Sequence, residues 1–444
     1  MAKLFPFKGI LYNSKQIKKL AKVMSPPYDV ISPEQQQYYY QQSPYNVIKL
    51  ILGKEFAGDT QYNNKYVRAA ATLTGWLKHG VLQQDLKPAL YVYEQRFTSK
   101  GKKYTRLGFI AILRLEDSGR GRVFPHEETL LKPKLDRIEL LRATHANFDS
   151  VFSLFSDEKG KIIKILKKFM RRKPAIEVKD ENNIVHRLWR IDARGAINRI
   201  TTEMRDRPVF IADGHHRFEA ATRFKNEMKE RNTRFTEEES YNHVMMYFTP
   251  VENPGLLMFP IHRLVKPLAH FDVQEFESEL DNYFEIITYP FGKRTRPRVL
   301  KKALRELQKR SSRHSFLMLI KNLPHFYLLT LKSEEAVDVL LEEEKTAAYK
   351  HLDVTILHTI IMKKILDISS DEHIEFTKNA EEVVEKVMAG SYQLGFLLNP
   401  TRIPSILEIA GEGERLPQKS TYFYPKLLSG LVMNKIDLGE KINY

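Results

Sequence analysis

The sequence predicts a mixed α/β protein, of the α+β type, built as two lobes. Its 444 residues exceed the length that one hydrophobic core usually organises, because chains beyond about 250–300 residues split into domains. Strand-like apolar runs alternate with amphipathic helical patterns along the chain, which is typical of α/β and α+β folds. The pattern changes after "FPIHRLVKP". We therefore predict a boundary near Val265, with lobes over residues 1–265 and 266–444.

In the first lobe, "LYVYEQRF" and "TRLGFIAILRL" alternate as strands do, and "TSKGKKY" between them places Gly101 in a hairpin turn. The stretch beginning at Arg137 has helical spacing in its first half, and "RPVFIAD" is a short apolar strand. It runs into Gly214, after which "RFEAATRFKNEMKERN" has the spacing of an amphipathic helix. The segment "NHVMMYFTP" predicts another strand.

In the second lobe, the spacing predicts a helix from Asp272 to Phe284 and a hairpin over "SFLMLIKNLPHFYLLTL". The apolar stretch "LDVTILHTIIMKKIL" predicts a buried helix, and "YQLGFLLNP" predicts a strand. The lobe is therefore also expected to be a mixed α/β structure.

The composition indicates a globular protein, with 42% hydrophobic and 28% charged residues. No apolar run reaches the roughly 18 residues that a membrane span requires. The first residues lack an apolar segment followed by a small-residue cleavage site, so we expect a cytoplasmic protein. The absence of cysteine excludes disulfides and thiolate catalysis.

The net charge of +16 favours an anionic partner without identifying it. Ten basic residues lie between Lys293 and Arg313. This run fits either a solvated helix face or a surface that binds nucleic acid. We find no helix-turn-helix or other base-reading element, which argues against nucleic acid as a partner.

The stretch "FIADGHHRFEAATRF" concentrates polar residues between a strand and a helix. Exposed N–H groups and the helix dipole bind anions at such a helix start, and Gly214 permits close approach to a ligand. Arg217 can contact a phosphate with two hydrogen bonds. His215 and His216 add donors or a proton acceptor. Asp213 can serve as a helix cap, a metal ligand or an acid/base residue.

The sequence "DGHHR" followed by "FEAA" resembles the signature of the ParB/sulfiredoxin superfamily as it occurs in free serine kinases. A closer resemblance is to the bacterial family called domain of unknown function 1015. The stretches that carry it are "SPPYDVIS", "HEETLLKPKLDRIELLRAT", "PIHRLV", "LDVTILH" and "LPQKSTYFYPKLLSGL". The resemblance implies a ParB/sulfiredoxin-like N-terminal lobe that carries the motif, and a C-terminal lobe that folds back on its site.

The resemblance also implies a small-molecule kinase that phosphorylates free L-serine to O-phosphoserine, with ATP or ADP as the donor and Mg²⁺ as the cofactor. In the kinases, the DGHHR turn contacts nucleotide phosphate. The alternative is a ParB-like nucleotide-binding regulator that is linked to DNA. Reverse or phosphatase chemistry on the same substrates also stays open, because a phosphoryl-transfer site works in both directions.

Two stretches supply candidate catalytic carboxylates. In "SPPYDVIS", two prolines fix an extended segment that presents Tyr28 to the substrate and Asp29 as a possible base, although a plain turn explains it equally well. In "FPHEETLLKPKLDR", the carboxylates suit Mg²⁺ or a hydroxyl proton. We predict Glu127 as the first choice of general base and Asp29 as the second. Asp213 and Glu128 are the predicted metal ligands.

Further basic and polar residues are predicted to contact the substrates. Arg137 and the run Lys419, Ser420 and Thr421 are expected at the nucleotide phosphates; position 418 is Gln, so the run is not a Walker A loop. An exposed basic loop is the alternative. His126 and Arg263 are expected at the acceptor or at a second phosphate contact, although an isolated Arg is more often a structural ion-pair partner.

Overall fold

The structure is a computed structural model that describes residues 2–116, 122–341 and 345–443. It is a mixed α/β fold with several sheets, which confirms the predicted fold class. The chain divides into two compact units. The first unit comprises Met1–Pro125, Thr129–Leu257 and Pro425–Tyr444, and the second comprises His126–Glu128 and Met258–Tyr424. The lobe limits of 1–265 and 266–444 stay a prediction.

A mixed sheet forms the centre of the first unit. The predicted hairpin is confirmed as Leu90–Ser99 paired with Lys102–Arg114, and Lys100 and Gly101 turn with positive φ angles of 48° and 77°. Within the described residues the sheet has nine strands. In spatial order eight of them are Val123–Pro125, Val209–Asp213, Val151–Phe155, His243–Pro250, Lys102–Arg114, Leu90–Ser99, Val185–Ile191 and Ile176–Lys179, and Leu4–Phe5 also pairs with Lys102–Arg114.

Helices and two small two-stranded sheets complete the first unit. The predicted helix after Gly214 is confirmed as His215–Arg231. The other α-helices are Pro33–Gln42, Ile48–Ile51, Lys65–Lys78, Leu131–Thr144, Lys161–Phe169 and Arg194–Met204, and the 3₁₀ helices are Leu20–Lys22, Tyr28–Val30 and Ser240–Asn242. The small sheets pair Ile10–Tyr12 with Leu82–Gln84 and Ala146–Asn147 with Asn434–Lys435.

An antiparallel sheet forms the centre of the second unit. In spatial order its six strands among the described residues are Phe284–Pro290, His325–Leu331, Ser315–Ile320, Leu394–Leu398, His262–Val265 and Ile374–Thr377. Two short strands, Leu257–Phe259 and Tyr422–Tyr424, lie where the chain passes from one unit to the other. The helices are Val273–Tyr283, Arg296–Lys309, Glu335–Leu340, Ala347–Lys350, Asp353–Ile356, Ala380–Met388 and Ile403–Gly411, with a 3₁₀ helix at Asp371–His373.

The predicted buried helix of the second unit changes type along its length. It is an α-helix over Asp353–Ile356 and a π-helix over Leu357–Ile365. Apolar periodicity predicts a helix at this place but does not specify the wider turn. In the part of the chain that the structure describes, no helix is both long enough and apolar enough to cross a membrane.

A buried carboxylate caps a helix of the first unit and gives a test of its stability. Asp157 is 3% exposed and accepts hydrogen bonds of 3.0 to 3.1 Å from the first three backbone N–H groups of Lys161–Phe169. We expect Asp157→Ala to lower the free energy of unfolding by about 1–3 kcal/mol, because buried N–H groups lose their acceptor. Urea denaturation followed by circular dichroism measures this.

The control is Glu158→Ala, which removes the exposed carboxylate of the next residue and should leave the midpoint unchanged. Equal midpoints for the Asp157 variant and the native protein would contradict the capping role.

Candidate functional site

A strand, a glycine turn and a helix start form the centre of the site in the first unit. The strand Val209–Asp213 ends at the carboxylate, Gly214 has φ of 90°, and the helix begins at His215. The positive φ favours glycine, and a Cβ atom at position 214 would lie 2.9 Å from the Arg217 guanidinium and displace it. No side chain caps this helix within the described residues. The turn therefore has the geometry predicted for anion binding.

Asp213 holds two cations at this turn. Its carboxylate lies 3.0 Å from Nη2 of Arg217 and is also paired with Nζ of Lys426. The three side chains are 14%, 11% and 12% exposed, respectively. Burial alone would raise the pKa of Asp213, but Lys426 and Arg217 outweigh it and keep the pKa well below its ordinary value. The carboxylate is thus ionised and fixed between its two partners.

Arg217 faces more than one carboxylate. Its Nη1 donates a hydrogen bond of 2.7 Å to the carbonyl of Ser150. Burial acts to lower the pKa of Arg217, but Asp213, Asp149 and Asp29 together raise it. The guanidinium therefore stays charged while surrounded by acidic groups from three separate chain segments.

Asp149 is the second carboxylate at Arg217. Burial raises the pKa of Asp149, and Arg217 and the Ser429 hydroxyl oppose this rise. Its Oδ1 atom is buried and has no hydrogen-bond partner within the described residues. We call Asp213, Arg217, Lys426 and Asp149 the Asp213 cluster. A strongly perturbed carboxyl beside a buried cation is typical of functional sites.

The predicted residues of "SPPYDVIS" lie beside this cluster. Tyr28 and Asp29 belong to a 3₁₀ turn after extended Pro27, as the two prolines predict. The Asp29 side chain is exposed and is close enough to influence the pKa of both Arg217 and Asp149. Burial raises the pKa of the Tyr28 hydroxyl.

Arg137 has structural partners in this unit. Its guanidinium lies 3.8 Å from the centre of the Tyr28 ring. Nη1 donates to the carbonyl of Ile51 at 2.9 Å, and Nε donates to Asp136 at 3.0 Å. Arg137 therefore helps to hold the Tyr28 ring in place. Its contact with the nucleotide phosphates stays a prediction.

The two histidines of the motif point to different surroundings. His215 is 7% exposed and helps to lower the pKa of Asp213. Nε2 of His216 accepts a hydrogen bond of 3.1 Å from the backbone N–H of Leu130. The backbone of Leu130 thus orients His216, whereas His215 lies near Asp213.

Sequence reasoning did not single out several residues that form this site. Arg106 is fully buried, donates from Nε to Gln95 at 2.9 Å and packs 4.6 Å from the centre of the Phe152 ring. Burial lowers its pKa, while the nearby Asp213 is among the groups that raise it. Lys426 and Ser429 lie within the stretch "LPQKSTYFYPKLLSGL", in which the sequence analysis names only Lys419, Ser420 and Thr421 as phosphate contacts. Asp149 follows the half of its stretch that has helical spacing, and the sequence analysis assigns it no role.

The other predicted residues come together inside the second unit. His126 Nε2 lies 3.0 Å from Oγ1 of Thr421, and Glu127 accepts a hydrogen bond of 2.5 Å from the backbone N–H of Lys419. Arg263 donates to the Lys419 carbonyl at 3.2 Å. Each contact joins residues within this unit, and the roles predicted for these residues stay predictions. Two further predicted residues make contacts in this unit: the Ser420 hydroxyl donates to the Pro417 carbonyl at 2.5 Å, and the backbone N–H of exposed Glu128 donates to the Leu416 carbonyl at 3.1 Å.

The predicted metal ligands do not form a metal site by themselves. Both Asp213 oxygens are paired with cations, and Glu128 belongs to the second unit. Among the described residues there is no group of three or more His, Asp or Glu side chains that could hold a metal ion. Mg²⁺ often binds through substrate phosphates with few protein ligands, and its role as a cofactor stays a prediction.

Comparisons with solved structures find only distant likeness. A conserved hypothetical protein from Pyrococcus furiosus is 13% identical, over 69% of this chain and 89% of that one, with a TM-score of 0.31. A free serine kinase in complex with AMP is 13% identical, over 71% and 89%, with a TM-score of 0.33. SbnI with a C-terminal truncation, from Staphylococcus aureus, is 8% identical, over 69% and 82%, with a TM-score of 0.32.

A comparison with curated protein sequences finds no match. A family model, by contrast, matches residues 4–355, which is most of the chain and includes the DGHHR turn. The chain therefore belongs to the family described as "Protein of unknown function (DUF1015)".

Proposed function

We propose that this protein is a phosphotransferase that takes a phosphoryl group from ATP or ADP and transfers it to the hydroxyl of a small molecule. L-Serine is the acceptor that the DGHHR resemblance implies. The observation that carries the proposal is the pair of cations, Arg217 and Lys426, held on one carboxylate at an uncapped helix start. This arrangement places two positive charges and the N–H donors of a helix start where the nucleotide phosphates can bind, and the chain does not have to rearrange first.

The chemistry asks mainly for alignment and neutralised charge. Phosphoryl transfer requires little covalent participation from the protein, and a helix start with Arg provides N–H donors, a favourable dipole and paired hydrogen bonds. Asp213 orients Arg217 and Lys426 so that their positions are set before the nucleotide binds. Preorganised charge of this kind is effective because it costs no rearrangement during the reaction.

The reaction needs a proton acceptor near the phosphates, and we propose Asp29. The acceptor's hydroxyl oxygen bonds to the terminal phosphorus while the bond from phosphorus to the bridging oxygen breaks. The nucleotide leaves with one phosphate fewer, and the hydroxyl proton passes to the Asp29 carboxylate. Asp29 is exposed to an entering substrate and lies close to Arg217 and Asp149 in the first unit. Glu127, which the sequence ranks first, is the competing base.

The phosphate contact is tested by Arg217→Ala. We expect nucleotide affinity to fall by about 1.5–3 kcal/mol, the range for losing a charged hydrogen bond, measured by calorimetry with ADP. Arg217→Lys keeps the charge but removes the fork of donors, so it should recover only part of the affinity. Arg223→Ala on the same helix, where the side chain is 48% exposed, is the matched control. Unchanged affinity in folded Arg217→Ala would exclude this phosphate site.

The identity of the base is tested by comparing Asp29→Asn with Glu127→Gln. We expect Asp29→Asn to reduce turnover by about 10²- to 10⁴-fold with nucleotide affinity nearly unchanged, because general-base catalysis contributes on this order. Turnover is followed by phosphorus NMR with ATP or ADP, Mg²⁺ and a panel of hydroxy compounds. A larger loss in Glu127→Gln would transfer the assignment to Glu127, and intact nucleotide with every acceptor would refute the kinase proposal.

The DNA-linked alternative depends on the basic run, whose central part is the helix Arg296–Lys309. This helix buries Leu300, Ala303 and Leu307, which explains its amphipathic pattern by packing. We expect replacement of the exposed Lys301, Lys302 and Arg305 by Gln to leave turnover unchanged, because salt screens exposed charges. Tight duplex binding by the native protein at physiological salt, lost in the triple variant, would favour the regulator; fluorescence anisotropy measures it.

A further inference from the structure

A cavity of about 240 Å³ opens on the first unit. Its walls come from the segment before Tyr28, from the helix Pro33–Gln42, from the turn that follows the strand Ile176–Lys179, and from Leu428. We propose that this cavity binds the nucleoside part of the phosphate donor. The inference rests on the proposed function, because it assigns a place to the rest of the nucleotide whose phosphates bind at the Asp213 cluster.

The walls of the cavity are held in place by hydrogen bonds. Oδ1 of Asp180 accepts from the backbone N–H groups of Asn182 and Ile184 at 2.9 and 2.8 Å. Its Oδ2 lies 3.1 Å from Nε2 of buried His186. Across the cavity, the Tyr39 hydroxyl is hydrogen-bonded to Glu181, which ties the helix to the turn. The site is therefore preorganised, which lowers the entropic cost of binding.

The side chains that face the cavity suit a base and a ribose. The Tyr38 ring is 45% exposed and offers a face on which a base can stack. The side-chain amides of Gln42 and Asn182 make no hydrogen bond within the described part of the chain, so they can pair with base edges. The carboxylate of Asp180 is of the type that accepts hydrogen bonds from ribose hydroxyls.

The volume supports the same ligand class. It corresponds to roughly eight water molecules at about 30 Å³ each, which is more room than a three-carbon amino acid fills. The lining also includes apolar Met24, Pro26 and Val178, which suit the faces of a ring system better than a zwitterion.

Two chain segments connect the cavity to the Asp213 cluster. In one, Pro26 lines the cavity, and Asp29, three residues later, influences Arg217. In the other, Lys426 pairs with Asp213 and Leu428 lines the cavity. Two residues span at most about 7 Å, so the cation and the cavity wall lie within one nucleotide's length of each other.

The two segments are also joined directly. The backbone N–H of Ser429 donates to the Ser25 carbonyl at 2.9 Å, and its hydroxyl lies 3.4 Å from the Pro26 carbonyl. The same hydroxyl lowers the pKa of Asp149. A continuous path of contacts therefore runs from the cavity wall to the carboxylate that faces Arg217.

The test measures ADP and pyrophosphate binding separately by calorimetry. Tyr38→Ala should weaken ADP binding by about 5- to 100-fold, the effect of losing one stacking contact, and leave pyrophosphate binding unchanged. Tyr62→Ala, which removes an 81% exposed tyrosine outside the cavity lining, should change neither. In addition, Gln42→Ala should change the ratio of ADP to GDP affinity by about threefold or more, the order of one hydrogen bond.

The outcomes separate this inference from the proposed function. If native protein binds ADP and pyrophosphate, and both Tyr38→Ala and Gln42→Ala leave ADP affinity and base preference unchanged, the cavity assignment is overturned while the phosphate site stands. If Tyr38→Ala changes only the KM of the acceptor, the cavity belongs to the acceptor and the inference is again overturned. If native protein binds neither compound, the proposed function and this inference fail together.

Discussion

The double ion pair of Asp213 is the interaction on which the site of the first unit depends. An unpaired buried charge costs several kcal/mol, and this carboxylate offsets part of that cost for both Arg217 and Lys426. The attraction of Arg217 to Asp213 fixes the start of the helix His215–Arg231. The attraction of Lys426 to the same carboxylate holds the segment that follows Pro425 close to the helix start. One short-range constraint thus determines where two cations and two chain segments lie relative to the glycine turn.

Several buried polar atoms around this ion pair lack a hydrogen-bond partner. Within the described residues, Oδ1 of Asp149, Nη1 of Arg106 and Nε of Arg217 are buried without a hydrogen-bond partner. Native interiors leave few such atoms, and each requires an explanation. Arg217 and Asp149 influence each other's pKa, and Asp213 acts to raise the pKa of Arg106. Three of the nine buried side-chain atoms without a hydrogen-bond partner in the described residues therefore lie at the proposed phosphate site, where a ligand or ordered water can supply the missing partners.

The sequence predicts correctly those elements that are formed by residues close together in the chain. Period-two alternation with Gly101 in the turn predicted the hairpin, and the change from an apolar strand to a helical pattern at Gly214 predicted the central turn. The pairing of Lys426 with Asp213 joins residues 213 positions apart, and no local pattern encodes it. For the same reason the sequence analysis names Lys419 but not Lys426, although both lie in one family-like stretch. The stacking of Arg137 on Tyr28 likewise joins residues far apart in sequence, and no local pattern encodes it.

The spacing of the DGHHR motif follows from the geometry of a helix start. An Asp at the end of a strand and an Arg four positions later lie on the same side of the first helical turn, and here they approach to 3.0 Å. That approach carries the guanidinium over position 214, where a Cβ atom would lie 2.9 Å from it, and the backbone there has φ of 90°. The positive φ thus favours glycine at position 214, and any larger residue there would also have to displace the guanidinium. The ion pair between Asp213 and Arg217 therefore closes the glycine turn. His215 and His216 lie between these two residues, so the closed turn also fixes the positions of both histidines.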